Sequence, residues 1–374
     1  MEMTRRTAAV VHLDRLERNI RRVLGSLAPG TELIAVVKGD AYGHGISGVA
    51  PVFRACGVKS YAVSVWEEGR ALRRAGCRDE TILILGDTLP SCLPKLLKYR
   101  LTPTVFSTDT AERLDRLAAA AGTVQGIHIK LDTGMNRIGF PADERCIEPV
   151  SRIAAMKNLR IDGAFTHFSR ADEPGCGETR RQLEMFMNAV SALRRSGVVI
   201  PMIHAANSPA LLFGPPEARL DAVRVGDALF GLCPGEGEAW EASGLEEVMS
   251  WHTCVAMVKT VPEGTPVGYG GSFVTKRPTV IATLPVGFAD GYSRRLSNRG
   301  HVSIHGRAAP VIGKVCMDMF MADVPDIPDV RAGDRAELIG GAVSILSMAD
   351  DMDANVDEVV CGISARVPKI YTAK

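Results

Sequence analysis

Short apolar runs rich in β-branched residues recur through the first ~230 positions, and they constrain the fold more than any other feature. Helical patterns separate them, as at 14–27, 109–121 and 178–196. Strands that alternate with helices predict a parallel sheet, and eight such units predict closure into a (β/α)8 barrel. The expected barrel strands are 32–38, 60–65, 81–85, 101–106, 126–131, 161–166, 200–204 and 222–225.

The pattern changes after about residue 240, where strand-like runs are separated by Gly/Pro turns without long helices. These runs are 250–260, 279–284, 301–304, 309–316 and 335–340. The sequence therefore predicts an α/β barrel domain over 1–242 and a mainly β domain over 243–374. The strand-like stretch Thr7–Val11 fits either domain, and Asp109 and Ser47 are candidate helix N-caps.

Bulk properties exclude several classes of partner. The net charge of +1 gives no electrostatic basis for binding nucleic acid or an anionic membrane. We expect no membrane span and no secretory leader, because no apolar run is long enough. Nine cysteines without a C-x-x-C pair indicate reduced thiols and a cytoplasmic protein. We expect no metal site, since His301 and His305 would lie ~13 Å apart on a strand.

Polar residues follow the predicted strands at the end of the barrel where such enzymes carry their chemistry. A lysine desolvated at the barrel mouth has a lowered pKa and suits Schiff-base formation. The candidates are Lys38 and Tyr42 after the first strand, Lys130, Asp132 and Arg137 after the fifth, His167 after the sixth, Asn207 and Ser208 after the seventh, and Arg224, Gly226 and Asp227 after the eighth.

Each candidate also has a structural interpretation. Lys38 could be a surface lysine, His167 a hydrogen-bonded core residue and Arg224 a salt-bridged barrel residue. Asn207 or Ser208 could simply cap a helix. However, a helix start after strand seven and a glycine after strand eight are where barrels bind phosphate. A reactive lysine with a phosphate site describes pyridoxal 5′-phosphate.

A competing pattern begins just after Lys38. Gly43-x-Gly45-x-x-Gly48, with Glu67 further along, matches the dinucleotide-binding fingerprint. Two observations argue against this fingerprint. Five residues from Lys38 onward separate its first glycine from the strand, whereas the fingerprint follows its strand directly. The chain also has eight βα units, more than half of a doubly wound fold contains. We therefore favour the alternative that the glycines let the loop pass close to a bulky cofactor.

The chain resembles the alanine racemase family of fold-type III pyridoxal-phosphate enzymes over nearly its whole length. The segments that carry the resemblance are "AVVKGDAYGHG", "KLDTGMNRIGF", "HFSRAD", "HAANSPA", "VRVGDALFG", "VGYGGSF", "PVGFADGYSR" and "GKVCMDMF". The resemblance implies a homodimer with shared active sites that interconverts L- and D-alanine with pyridoxal phosphate.

The resemblance also implies a role for each matching residue. Lys38 is implied to hold the cofactor as an aldimine and to act as one base, and Tyr269 of the partner subunit as the other. Arg137 is implied to contact the phenolic oxygen and the substrate, and a carbamylated Lys130 to hold that arginine. His167 and Arg224 are implied to lie beside the cofactor ring, and Met317 and Asp318 of the partner on the substrate side. The implied phosphate contacts are Tyr42, Ser208, Gly226 and Asp227. Asn207 joins the cofactor-binding set.

Two positions depart from the family pattern. Ala365 stands where the family usually has tyrosine, and Phe288 replaces another tyrosine. The lost ring at Ala365 leaves space for a larger substrate. This suggests the alternative of a serine or broad-specificity racemase with a pocket enlarged at Ala365.

Two other functional classes compete with a racemase. Arg224 argues against a related decarboxylase. The pKa of an arginine is too high for it to protonate the pyridine nitrogen, so the cofactor ring would withdraw electrons less strongly than decarboxylation favours. A non-catalytic cofactor carrier is disfavoured by the β domain that carries Tyr269 and Asp318, since a carrier needs no second base.

Overall fold

The computed structural model describes residues 5–173, 175–232 and 238–373. Numbered in chain order, the strands are β1 Thr7–His12, β2 Glu32–Val36, β3 Ser60–Val63, β4 Thr81–Ile84, β5 Thr102–Val105, β6 Gln125–Asp132, β7 Phe140–Pro141, β8 Leu159–Phe165, β9 Met202–His204, β10 Ala222–Val225, β11 Met249–Cys254, β12 Met257–Val261, β13 Pro266–Val267, β14 Phe273–Val274, β15 Thr279–Leu284, β16 His301–Ile304, β17 Arg307–Ile312, β18 Phe320–Asp323, β19 Arg335–Ile339 and β20 Lys369–Thr372.

Helices lie mainly between the strands of the first half. They are α1 Leu13–Ser26, α2 Ile46–Ala55, α3 Trp66–Arg74, α4 Leu93–Lys98, α5 Thr108–Ala120, α6 Ile147–Ala154, α7 Glu178–Arg195, α8 Ser208–Phe213, α9 Glu238–Ser243, α10 Ile345–Met352 and α11 Val356–Cys361. None of these helices combines the length and hydropathy needed to cross a membrane, in the part of the chain that the structure describes.

Eight parallel strands form the predicted closed barrel. Their order is β5-β4-β3-β2-β10-β9-β8-β6, and a further β5–β6 pairing closes the ring. The central strand β2 lies between β3 and β10 and is buried from Leu33 to Val36. Helices cover the outer face and side chains fill the inside, so these strands are apolar on both faces. The fold prediction is confirmed.

A second sheet, which contains most of the later strands, has the order β12-β15-β18-β17-β16-β19-β11-β1-β20. Its β1 pairs antiparallel with β11 and parallel with β20, so the stretch Thr7–Val11 joins this sheet rather than the barrel. The boundaries 1–242 and 243–374 stay a prediction, with the qualification that the first strand belongs to the second sheet.

Several local expectations were wrong. The run 250–260 is two strands, β11 and β12, and the sequence patterns gave no sign of β18, β20, α10 or α11. Helix α5 is capped by Ser107, whose hydroxyl accepts from the Thr110 amide, so Asp109 is not its cap. Helix α2 begins after Gly45, so Ser47 is not a cap either.

Candidate active site

A cavity of about 560 Å³ opens at the carboxyl ends of the barrel strands. Ten residues predicted from the strand ends or the family resemblance line it, which places them in one site. They are Lys38, Tyr42, Lys130, Arg137, His167, Asn207, Ser208, Arg224, Gly226 and Asp227.

Lys38 begins a left-handed turn after β2. The four residues Gly39, Asp40, Ala41 and Tyr42 have φ angles of 62°, 53°, 59° and 50°. A left-handed conformation costs a residue with a side chain roughly 1–2 kcal/mol. Such a segment persists only where its surroundings hold it, and it is typical of functional sites. The turn sets the positions of Lys38 and Tyr42, which both face the cavity.

The second domain packs directly against this turn and the loop that follows it. A Cβ atom on Gly43 would lie 2.3 Å from the Val360 carbonyl oxygen of α11. A Cβ atom on Gly45 would lie 2.2 Å from the Tyr371 hydroxyl, and one on Gly48 2.1 Å from the Tyr371 ring. The glycines therefore make room for β20 and α11. This excludes the dinucleotide interpretation and corrects the expectation that Gly43 and Gly45 give clearance for a cofactor.

Tyr42 and Asp227 line the same end of the cavity as Gly226 and Ser208. Gly226 is required there, because a Cβ atom would lie 2.3 Å from the Tyr42 oxygen. Burial raises the pKa of Tyr42 well above its ordinary value, so the hydroxyl keeps its proton. Burial and the charge of Asp357 raise the pKa of Asp227 to about 6.

Ser208 joins the ends of β9 and β10. Its hydroxyl oxygen accepts from the amides of Gly226 at 3.1 Å and Ala228 at 3.4 Å. Asn207 caps α8 by accepting from the Ala210 amide at 3.1 Å, so the capping interpretation holds for Asn207. The hydroxyl and these amides form a compact polar group at one end of the cavity.

Arg224 is only 3% exposed and is held by neutral partners rather than by a carboxylate. Its Nη2 donates to the carbonyls of Thr166 at 2.7 Å and Ala205 at 2.8 Å, and to Nδ1 of His167 at 3.1 Å. Its Nη1 donates to Nδ1 of His204 at 2.9 Å. The guanidinium is thus fixed, and no carboxylate among the described residues pairs with it, so the salt-bridge interpretation is wrong.

His204 and His128 extend this network into the barrel, and sequence reasoning missed both. Nε2 of His204 lies 2.9 Å from Nδ1 of His128. Burial lowers the pKa of His204 well below its ordinary value and that of His128 to about 4, so both rings are neutral. The available signal was spacing, because His128 lies two residues before Lys130 and must share its face of the strand.

Lys130 is 3% exposed, and its Nζ donates to the Leu131 carbonyl at 2.7 Å. The Phe165 ring lies 5.7 Å from this Nζ and 5.1 Å from the Arg224 guanidinium carbon. Burial, then the positive charges of Arg224 and Arg137, lower the pKa of Lys130 to about 7. Lys130 is therefore an amine poised between its neutral and charged forms.

Five predicted residues lie outside this cavity, on exposed parts of the second domain. They are Tyr269, Phe288, Met317, Asp318 and Ala365. Tyr269 is 69% exposed and Met317 57% exposed. Within a single chain the structure does not bring Tyr269 to Lys38.

Taken together, the fold and the lysine-lined cavity define a two-domain (β/α)8-barrel enzyme. Sequence models for "Alanine racemase, N-terminal domain" and "Alanine racemase, C-terminal domain" match residues 11–234 and 248–371. The chain belongs to the alanine racemase family. It is a racemase, and therefore an isomerase.

Individual relatives agree over the full length. The chain is 42% identical over 380 residues to the alanine racemase of Halothermothrix orenii, which covers all of this chain and 98% of the relative. It superposes on alanine racemase from the D-cycloserine producer Streptomyces lavendulae with a TM-score of 0.93 at 32% identity, covering 100% of this chain and 98% of that one.

A third relative bears on the cofactor. Alanine racemase from Bartonella henselae, solved with covalently bound pyridoxal phosphate, gives a TM-score of 0.90 at 26% identity. The match covers 98% of this chain and 100% of that one. All three relatives are named for alanine, so the comparisons do not favour the serine alternative that Ala365 suggested.

Proposed function

We propose that this protein interconverts L- and D-alanine with pyridoxal 5′-phosphate held on Lys38, and that Tyr269 of a partner subunit completes the site. One observation carries the proposal. The ten cavity residues converge at the barrel mouth, while Tyr269 lies exposed on the other domain. This separation is what a site shared between two copies of the chain requires.

The residues present fit this cofactor. An amine for its aldehyde, Lys38, lines the same cavity as the hydroxyls of Tyr42 and Ser208. Gly226 leaves room for the Tyr42 hydroxyl at this end of the cavity, because a Cβ atom would lie 2.3 Å from that oxygen. The buried guanidinium of Arg224 lines the same cavity and would hold the ring nitrogen of the cofactor. When bound, pyridoxal phosphate withdraws electrons from the substrate Cα and so weakens its C–H bond.

Racemisation then requires a proton to leave one face of Cα and another to arrive at the opposite face. We assign these transfers to Nζ of Lys38 on one face and the phenolic oxygen of the partner's Tyr269 on the other. Each group alternates between base and acid, so neither direction consumes a proton overall. Met317 and Asp318 of the partner contact the substrate side.

Arg224 and Arg137 control the charge around these transfers. The buried guanidinium of Arg224 keeps its own proton and positive charge, so beside a bound cofactor it would limit how far negative charge is drawn away from Cα. Arg137 orients the substrate at the cavity mouth. A carbamylated Lys130 would present an anion to Arg137 and hold it in place.

Subunit mixing tests the shared site. Lys38→Ala and Tyr269→Phe should each reduce racemisation below about one hundredth of wild type, because each removes one base. In a mixed dimer one site carries both defects and the other carries neither. Unfolding and refolding the two variants together should therefore restore about a quarter of wild-type activity per subunit in a symmetric dimer.

A matched control is Tyr99→Phe, which alters a half-buried tyrosine stacked on Trp66 on the barrel surface. It should keep full activity. If mixing restores nothing although mixed dimers form, Tyr269 does not act across subunits. Full activity of Tyr269→Phe would contradict the two-base assignment.

A further inference from the structure

The left-handed turn at Lys38 depends on one carboxylate that sequence reasoning did not single out. Within the turn, the amides of Ala41 and Gly43 donate to the carbonyls of Val37 and Gly39 at 3.0 and 2.8 Å. The first two amides of the turn find no carbonyl there. They donate instead to the side chain of Glu68.

Glu68 lies in the first turn of α3 and uses both carboxylate oxygens. Oε1 accepts from the Gly39 amide at 2.6 Å and the Asp40 amide at 3.3 Å. Oε2 accepts from the amides of Ser64 at 2.8 Å and Val65 at 3.3 Å, directly after β3. One side chain thus fastens the left-handed turn to the end of the neighbouring barrel strand.

We propose that Glu68 is a positioning residue for the cofactor site: its carboxylate holds the left-handed turn so that Lys38 and Tyr42 face the cavity. This inference rests on the proposed function, because it concerns residues assigned to the cofactor. Without the carboxylate, the amides of Gly39 and Asp40 lose their partners. The strained residues Asp40 and Ala41 can then relax toward ordinary backbone conformations, which moves Lys38 and Tyr42 together.

A purely structural role would be the stabilisation of α3, since Glu68 also accepts from the amide of Val65 at the helix start. Glu67 separates the two roles. It is the adjacent acidic residue in the same first turn, it is exposed, and the left-handed turn makes no hydrogen bond to it. Glu67→Gln removes the same charge from the start of the helix and leaves the turn intact.

The test is a titration of the apoprotein with pyridoxal phosphate, followed by absorbance, for wild type, Glu68→Gln and Glu67→Gln. We expect Glu68→Gln to raise the cofactor dissociation constant on the order of ten- to a hundred-fold, the size of effect seen when a group that orients binding residues by hydrogen bonds is removed. It should also shift the pH profile of the bound cofactor's absorbance, because Lys38 is displaced. Glu67→Gln should leave both unchanged.

Glu68→Asp provides a second variant in case the glutamine substitution prevents folding. It keeps the charge at the helix start, but it is one methylene too short to reach both strand ends. We expect the cofactor defect in a protein that still unfolds in one cooperative thermal transition. Wild-type cofactor affinity and pH profile in both Glu68 variants would overturn the proposal, as would equal defects in Glu67→Gln. If wild-type apoprotein itself fails to bind the cofactor, the proposed function falls as well.

Discussion

Lys130 should react with CO2 to form a carbamate, which turns a buried cation into an anion. In this reaction Nζ attacks the CO2 carbon and releases one proton to solvent. The uncharged amine is the reactive form. The product suits the site, because the positive potential of Arg224 and Arg137 that disfavours an ammonium group at Lys130 favours a carbamate there.

The expected size of the effect follows from the environment. The pKa of Lys130 is lowered from 10.5 to about 7. At pH 7.5 about three quarters of such amines are neutral, against about one in a thousand for an ordinary lysine. The reactive form is therefore several hundred-fold more abundant at Lys130 than at a surface lysine.

Carbon-13 NMR with labelled bicarbonate measures the product. We expect one carbamate signal per subunit at pH 7.5, which disappears in Lys130→Arg. Lys157→Arg, at an exposed lysine on the barrel, should keep the signal. No signal in wild type at saturating bicarbonate, or a signal that survives Lys130→Arg, would refute the reasoning.

The same pKa predicts how stability depends on pH when CO2 is removed. Between about pH 7 and 10.5 the unfolded chain binds a proton at Lys130 that the folded chain does not. The free energy of unfolding should therefore rise with pH across this window, by at most about 5 kcal/mol. The carbamylated protein should lack this rise, since its Lys130 no longer titrates as an amine.

Three further predictions concern stability and are read from urea unfolding of the apoprotein. The folded-state pKa of Asp227 is raised from 3.8 to about 6, so the free energy of unfolding should fall as pH rises through this window. Asp227→Asn should flatten that fall, and an unchanged slope in this variant would contradict the assignment to Asp227. His204→Leu leaves a buried Arg224 N–H unpaired and should cost about 1–3 kcal/mol, so a neutral result would contradict the role of the network. Gly43→Ala adds a 2.3 Å clash to a positive φ and should lower the free energy of unfolding by at least ~3 kcal/mol. Gly57→Ala has a positive φ but open space around it and should lower the free energy of unfolding by about 1 kcal/mol. Equal losses in the two variants would exclude the clash as the cause.

The barrel was predictable from sequence because parallel strands covered on both faces leave a periodic apolar signal. The run 222–225 matches β10, and 81–85 exceeds β4 by one residue. The second sheet was less predictable. Strands such as β20, "KIYT", are short and half-exposed, and their place depends on partners far away in sequence.

The residues that line the cavity were predictable because strand ends of a barrel converge. The left-handed turn was not, since three of its four residues with positive φ carry side chains and no local pattern favours that conformation. It is imposed by Glu68 and by contacts from α11, both distant in sequence. The effect of Ala365 on substrate choice could not be predicted from sequence either, because Ala365 is exposed and lines no part of the barrel cavity of its own chain.

The proposed partner subunit accounts for two observations at once. Tyr269, Phe288 and Met317 are exposed apolar side chains, and they belong to neighbouring loops: the Phe288 amide donates to the Cys316 carbonyl at 3.0 Å, and Cys316 lines one cavity with Tyr269. A contiguous exposed apolar patch marks an interaction surface. The same patch carries the residues that the barrel cavity lacks for a two-base reaction. In the proposed dimer, the barrel mouth of a second copy would bury this patch and receive the second base from it, so assembly and catalysis would depend on the same surface.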